Sequence, residues 1–468
     1  MELLRGRGPS ASLLKVKVDV NKDAAARCYA VGLDAPAARG SNAAQGGLAR
    51  RVERFVVEHP RLIPTLQAGT IAVYLALIVI PPWLPKPAPD ATPWTDFVRF
   101  SQFAIWCIWW PFVLLSMIAF GRGWCGVLCP EGALAQAASR LGGRRRVPRW
   151  MSWGGIPLAA FVAITVIGQL VEVDEEPRAQ LLILGGSTLA AVVVGLVYTR
   201  NARVWCRYLC PVSLLFGVFS RLGAMSFRVD RALLDAARGR ALEPAELESA
   251  KKEPCPVFIH LPVLSTNRDC LMCFGCAGWR DAIHLELRRP GEEIGRIDRA
   301  QPLFWEVIFL FAGAIGLPLG VFCAEAFELS GLALLATLLG GVAGAASVLS
   351  LLTWTMARWL RRLHGDSVTV RDLFVRVGYA YAPLSLFSLF LGLSQPTFAY
   401  VQALGVPRSA LDLVRAAVLA GGAVWSVVLA GRILRLGTDA GARVSMMMVP
   451  QLAGIALVLA GWAGLLWR

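Results

Sequence analysis

The stretch Phe97–Phe120, FVRFSQFAIWCIWWPFVLLSMIAF, runs without a break into Gly121-Arg122-Gly123-Trp124-Cys125-Gly126-Val127-Leu128-Cys129-Pro130. Its first part is an apolar run of the length needed to cross roughly 30 Å of hydrocarbon as a helix. Its second part is a pair of thiols closed by a proline. Similar apolar runs lie near Leu62 to Leu84, Gly154 to Val171 and Leu181 to Tyr198, and a long polar stretch follows. Five more lie near Leu303 to Cys323, Leu329 to Trp354, Gly378 to Leu393, Leu411 to Leu434 and Met446 to Trp467. The expected fold is therefore an all-α polytopic membrane protein of about nine transmembrane helices with a small iron–sulfur loop. The composition agrees, with 56% apolar residues against 17% charged and sixteen Trp.

Four segments are expected: a basic tail over 1–60, a four-helix membrane core over 61–222, a ferredoxin-like segment over 223–302 and a five-helix membrane domain over 303–468. Lys and Arg concentrate in alternate connectors: the N-terminal segment, Arg144-Arg145-Arg146, the polar stretch, Arg358 to Arg376 and Arg432 to Arg443. The opposite connectors include Glu172-Val173-Asp174-Glu175-Glu176 and Ala324-Glu325-Ala326-Phe327-Glu328. Short basic loops stay in the cytoplasm, so the chain is expected in a bacterial-type inner membrane with its N-terminus inside and its C-terminus outside. The net charge of +15 is spread as topology demands, and nucleic acid is not an expected partner. No charged n-region precedes a short apolar core near the start, so a cleaved signal peptide is not expected.

Eleven cysteines occur, and eight fall in three groups on the side assigned to the cytoplasm, where disulfides are rare. Cys270-Leu-Met-Cys273-Phe-Gly-Cys276 is a C-x2-C-x2-C run, preceded by Cys255-Pro256. In two-cluster ferredoxins the Cys-Pro that closes one motif serves the other cluster. Cys255, Cys270, Cys273 and Cys276 thus form a complete ligand set for one [4Fe–4S] cluster. Arg280 stands where a closing cysteine of the second motif is expected, and no C-x2-C-x2-C precedes Cys255. Four cysteines also suit a zinc ion, although zinc sites favour paired C-x2-C units over a tight triple.

Trp124-Cys125-x3-Cys129-Pro130 recurs as Trp205-Cys206-x3-Cys210-Pro211, each after an even-numbered span. The spacing predicts both sulfurs on one side of a helical turn, with Pro130 and Pro211 opening the next helix. Cys125, Cys129, Cys206 and Cys210 are thereby a candidate second site: a four-thiolate metal centre, a redox-active dithiol or a relay toward the cluster. Copper, a soft metal, is one candidate occupant. Cys28, Cys107 and Cys323 stand apart and read as ordinary thiols. His260 and His284 flank the cluster motif as supporting or surface residues, Met446-Met447-Met448 reads as core or lipid contact, and Glu306 and Glu325 read as interfacial. The four His lie away from span centres, no C-x2-C-H occurs, and no G-x-G-x-x-G follows a strand, so neither haem nor a dinucleotide is expected.

Paired W-C-x3-C-P motifs followed by a ferredoxin-like segment resemble the NapH/NosR/CcoG group of membrane iron–sulfur proteins. The resemblance covers about residues 60 to 300 and is nearest in style to the NosR branch, on Gly123 to Leu134 and Arg203 to Pro211. It implies electron transfer between a quinol pool or cytoplasmic donor and a respiratory or metalloprotein partner. In the CcoG-like branch it implies copper reduction during oxidase assembly, and a redox-sensing scaffold is a third reading. Quinone and copper are the further cofactors it implies. Family members usually hold two clusters, whereas the ligand motifs here serve one. The flavin-binding domain of the NosR branch is not seen in these residues.

Overall fold

The computed structural model describes residues 43–143, 145–233, 255–279, 282–296, 303–364, 369–435 and 448–466. Expectations that rest on Cys28, Arg144, Arg280, Met446 and Met447 lie outside them.

Eight helices among the described residues are long and apolar enough to cross a membrane. In chain order the helices used below are α1 (Ala43–Glu58), α2 (Leu62–Trp83), α3 (Phe97–Phe120), α4 (Pro130–Leu141), α5 (Gly155–Leu170), α6 (Pro177–Val197) and α7 (Ser213–Ser220). They continue as α8 (Phe304–Ala326), α9 (Gly331–Arg362), α10 (Val370–Leu393), α11 (Gln395–Ala403), α12 (Arg408–Leu434) and α13 (Val449–Leu466). The expected third span is α5, which has 16 residues and falls short of the other eight. Helices that are apolar all round suit lipid or a protein core, and the two environments divide the set. α8 and α10 are each 83% buried and form the centre of the bundle, whereas α9 is 11% buried and faces outward.

Between α7 and α8 the chain makes one antiparallel strand pair, β1 (Met225–Val229) with β2 (Ile283–Leu287), the only sheet among the described residues. Within the stretch read as a tail, α1 is an ordered helix that lies on this pair. Glu53 of α1 accepts from the Leu285 amide at 2.8 Å and pairs with the His284 ring at 3.1 Å. Burial opposes the charge on Glu53, but the His284 hydrogen bond and the Leu285 amide outweigh it and hold the carboxyl below its usual range. His284 is thus a clamp for α1, and His260 is exposed.

A buried ionic node joins the strand-pair region to the bundle. Glu306, at the start of α8, is fully buried and meets Arg268, Arg221 and the Tyr379 hydroxyl. Arg221 also approaches Glu293 at 3.6 Å, and Arg288 binds Glu293 at 2.6 Å. Its interfacial reading was therefore wrong. An acid at a span end has no visible partner in sequence, because its three partners come from distant segments.

Two outcomes are expected. Glu306→Gln removes the carboxylate shared by Arg221 and Arg268, which keep only Glu293 and Asp269, and should cost up to about 3–5 kcal/mol. The half-exposed Arg228–Glu286 pair should contribute less than about 1 kcal/mol, so Glu286→Gln serves as the reference in thermal unfolding in detergent. Glu53, with a lowered value in the fold, stabilises α1 docking above its unfolded value of about 4.3, and that stabilisation is lost as pH falls through the folded value. Hydrogen exchange in β2 should rise over that acid range, and Glu53→Gln should remove the pH dependence.

Candidate iron–sulfur site

The C-x2-C-x2-C segment wraps because residues between its cysteines adopt left-handed backbone. Met272 has φ +54° and Phe274 φ +59°, values that cost a non-glycine residue on the order of 1 kcal/mol or more. The surroundings hold this conformation: the Phe274 ring meets Phe227 of β1 edge-on at 5.3 Å, and the Met272 amide donates to Cys270 Sγ at 3.4 Å. Cys255, on the separate Cys255-Pro256 turn, lies within electrostatic range of Cys270, Cys273 and Cys276. All four expected cluster cysteines are thus brought together.

Burial pushes the Cys270 thiol up to about 12, with neighbouring sulfurs adding to it, and raises Cys255 and Cys276 in the same way. Four thiolates in such a place need compensating positive charge, which metal centres supply. Among the described residues no three His, Cys, Asp or Glu side chains stand close enough to hold a single metal ion. Two converging segments and amide donation to sulfur suit a thiolate-held metal centre in this set.

The paired motifs form the second group. Each closes a π-type turn with the same bond, Cys129 N–H to Trp124 O and Cys210 N–H to Trp205 O, both at 2.9 Å. The turns are wider than the α-helical turn expected from the spacing, because the second cysteine leaves the helix in extended backbone. Pro130 opens α4 as expected, and Cys129 Sγ accepts from the Gly132 amide at 3.5 Å. Pro211 instead sits in a turn before α7, which begins at Ser213. Cys125, Cys129, Cys206 and Cys210 all lie within electrostatic range of one another.

Two buried arginines cross-link these turns. Arg203 Nη1 donates to the Cys125 carbonyl at 2.6 Å, and Arg122 Nη2 donates to the Cys206 carbonyl at 3.5 Å. Each arginine stands three residues before the first cysteine of its own motif and reaches the other. Sequence reading missed both, and the signal was available: the repeat is R-x-W-C-x3-C-P. Glu131, also missed, accepts from the Trp205 indole at 3.3 Å and lies beside Ser187 and Thr188 of α6.

The two cysteine groups touch through backbone. A Cβ on Gly126 would fall inside the Leu271 carbonyl and 2.8 Å from the Cys273 nitrogen. On the other side Arg203 N–H donates to Pro256 O at 2.7 Å, next to Cys255. Arg122 spans both groups, since its Nη1 donates to Arg268 O at 3.1 Å. Beside it Arg207 pairs with Asp269, whose carboxyl is held well below the usual range by Arg268 and Arg207 despite its burial.

Comparison with known proteins agrees. The family described as a 4Fe-4S binding domain matches residues 102–148 and 182–230. Those segments hold Cys125, Cys129, Cys206 and Cys210 and stop before Cys255, so the iron–sulfur description falls on the paired motifs. The regulatory protein NosR of Pseudomonas aeruginosa is 26% identical over 257 residues, 47% of this chain and 33% of its own length. YccM of Escherichia coli is 29% identical over 143 residues, 25% of this chain and 39% of its own. The methylamine utilization ferredoxin-type protein MauN of Methylorubrum extorquens is 29% identical over 121 residues, 23% of this chain and 42% of its own. The chain thus spans a third to two fifths of the length of these relatives. No solved structure matches. The chain is thus similar, over the stretch that holds the paired motifs, to membrane 4Fe-4S ferredoxin-type proteins of the NosR kind.

Proposed function

We propose that the chain is a membrane electron-transfer protein in which Cys255, Cys270, Cys273 and Cys276 hold a [4Fe–4S] cluster beside a second redox group held by Cys125, Cys129, Cys206 and Cys210. The observation that carries this reading is the contact of Gly126 with Leu271 and Cys273, which leaves one layer of backbone between the two groups. Iron–sulfur groups supply one-electron chemistry. The polypeptide holds the two thiol groups adjacent, buries Cys125, Cys206 and Cys270 and lays the Arg122 charge along both. The similarity to a ferredoxin-type protein supports the same reading.

The placement of Lys and Arg supports a cytoplasmic position for the Cys255–Cys276 group and an inner-membrane location. Donor and acceptor are, on this reading, a quinol pool or cytoplasmic reductant and a respiratory or metalloprotein partner. The four segments 1–60, 61–222, 223–302 and 303–468 remain the proposed division, with the last as the partner-facing or quinone-facing part.

Low-temperature EPR of anaerobically purified protein, before and after dithionite, tests this directly. Wild type should give a reduced [4Fe–4S] signal that Cys273→Ser removes. Iron-free protein, or copper retained by Cys125, Cys129, Cys206 and Cys210, would instead establish a zinc, thiol or copper-handling role. Gly126→Ala forces the two backbones apart at about 1–3 kcal/mol. It should slow reduction of one group by the other and lower the iron content, though no cysteine is changed. Gly344→Ala, where a Cβ meets nothing within 4 Å, should leave both at wild-type values.

A further inference from the structure

We infer that the site formed by Cys125, Cys129, Cys206 and Cys210 lies near the middle of the bilayer rather than at its face, carried there by re-entrant turns and half-helices. The inference rests on the proposed reading of these cysteines as a redox site and adds where in the membrane that site works.

Three spanning helices give the depth, two of them through Thr188, while Gln67, roughly 8 Å from the Leu62 end of α2, donates to Gly126 O at 3.0 Å and marks the shallow edge of the site. Glu131, two residues after Cys129, lies beside Ser187 and Thr188 of α6. At about 1.5 Å per residue Thr188 lies roughly 14 Å from the Val197 end of α6 and roughly 16 Å from the Pro177 end. Tyr74 of α2 bonds the Thr188 hydroxyl at 2.9 Å and is in electrostatic range of Cys129. It lies roughly 18 Å from the Leu62 end of its span and roughly 14 Å from the Trp83 end. Trp124, beside Cys125, packs on Trp109 of α3 at 4.9 Å and on Phe112 at 5.8 Å. Trp109 is roughly 16 Å back from the Phe120 end. The chain therefore leaves α3 at Phe120 and turns back into the hydrocarbon layer.

α4 then returns alongside α6. Its start is level with Thr188, and its end meets the end of α6: Gly143 N–H donates to Leu196 O at 2.6 Å, and a Cβ on Gly142 would lie 2.6 Å from the Gly195 and Leu196 carbonyls. Residues 145 and 198 form a bridge just beyond. The second motif is built the same way, with α7 running from the Cys210-Pro211 turn to Arg221, which meets Glu306 at the start of α8. Irregular backbone at this depth is tolerated only where protein covers it. Both turns meet that condition, since Cys125 and Cys206 are buried and Arg122 and Arg203 bind carbonyls of the opposite turn. The N-terminus of α4 turns the Gly132 amide to Cys129 Sγ, an arrangement that favours negative charge there.

The functional consequence is that an electron passing from the Cys255–Cys276 group to the paired group moves part way across the membrane dielectric. The site is then placed for a lipid-soluble or transmembrane acceptor, not a water-soluble one.

The test uses the full chain in proteoliposomes, reduced with dithionite, with a water-soluble dysprosium chelate on both sides and EPR power saturation as readout. In Cys129→Ser the remaining signal should show a severalfold rise in half-saturation power. In Cys273→Ser it should show none, and a rise equal to the first would overturn the inference. If Cys273→Ser does not accumulate, the two signals of wild type should show the same contrast. If the paired cysteines hold no iron at all, the redox reading of that group falls, and depth is then read on its free thiols. Labelling by N-ethylmaleimide but not by an impermeant maleimide upholds the inference, and labelling by both overturns it.

Discussion

A guanidinium sealed inside a membrane protein must find acceptors for its N–H groups, and in this protein two of them find each other's turns. Arg122 and Arg203 sit at 4% and 2% exposure, and each donates to the carbonyl of the first cysteine in the opposite motif. The arrangement solves two problems together. It satisfies carbonyls that the π-type turns leave without helical partners, and it places two fixed positive charges among eight thiols. Removing either arginine would leave the cysteine carbonyl of the opposite motif without its donor. The cross-bonding also explains why the motif occurs twice, because one copy has no one to answer its arginine.

The second constraint is ionic. Glu306 and Glu293 collect Arg221, Arg268 and Arg288 from three separate stretches of chain, and Asp269 collects Arg207. These contacts run from the paired motifs, past the Cys270 segment, to the centre of the bundle at α8 and α10. Replacing such pairs with apolar residues need not weaken a fold, so their worth here is in position. They hold Arg268 and Asp269, the residues just before Cys270, in one arrangement relative to the helices.

Much of this was legible in the sequence, and the rest was hidden for physical reasons. The spans were readable because lipid demands long apolar runs, and α5, at 16 residues, is the shortest of the nine apolar helices expected to cross. Cys270, Cys273 and Cys276 were readable by spacing, and Cys255 by the way ferredoxin motifs share ligands. The depth of the paired motifs was not readable, since Gly121 to Leu141 is too polar and too small-residue-rich to register as membrane. Arg122 and Arg203 were not singled out, because charge along a sequence does not show burial. Glu131 and Glu306 depend on partners far along the chain, which no local pattern reveals.

The contacts at Gly126 and Arg203 also bear on how the protein is made. The first turn closes only against the second, and both close only against Pro256 and the Leu271–Cys273 backbone, which leave the ribosome much later. Until then the nascent chain holds two half-helices in the bilayer with charged side chains and bare carbonyls uncovered. Biogenesis therefore has a waiting stage, during which the early segments depend on insertion machinery or on residence at the membrane surface. On the proposed reading, loading of a cluster at Cys255, Cys270, Cys273 and Cys276 is correspondingly a late event that waits for Cys276 to emerge.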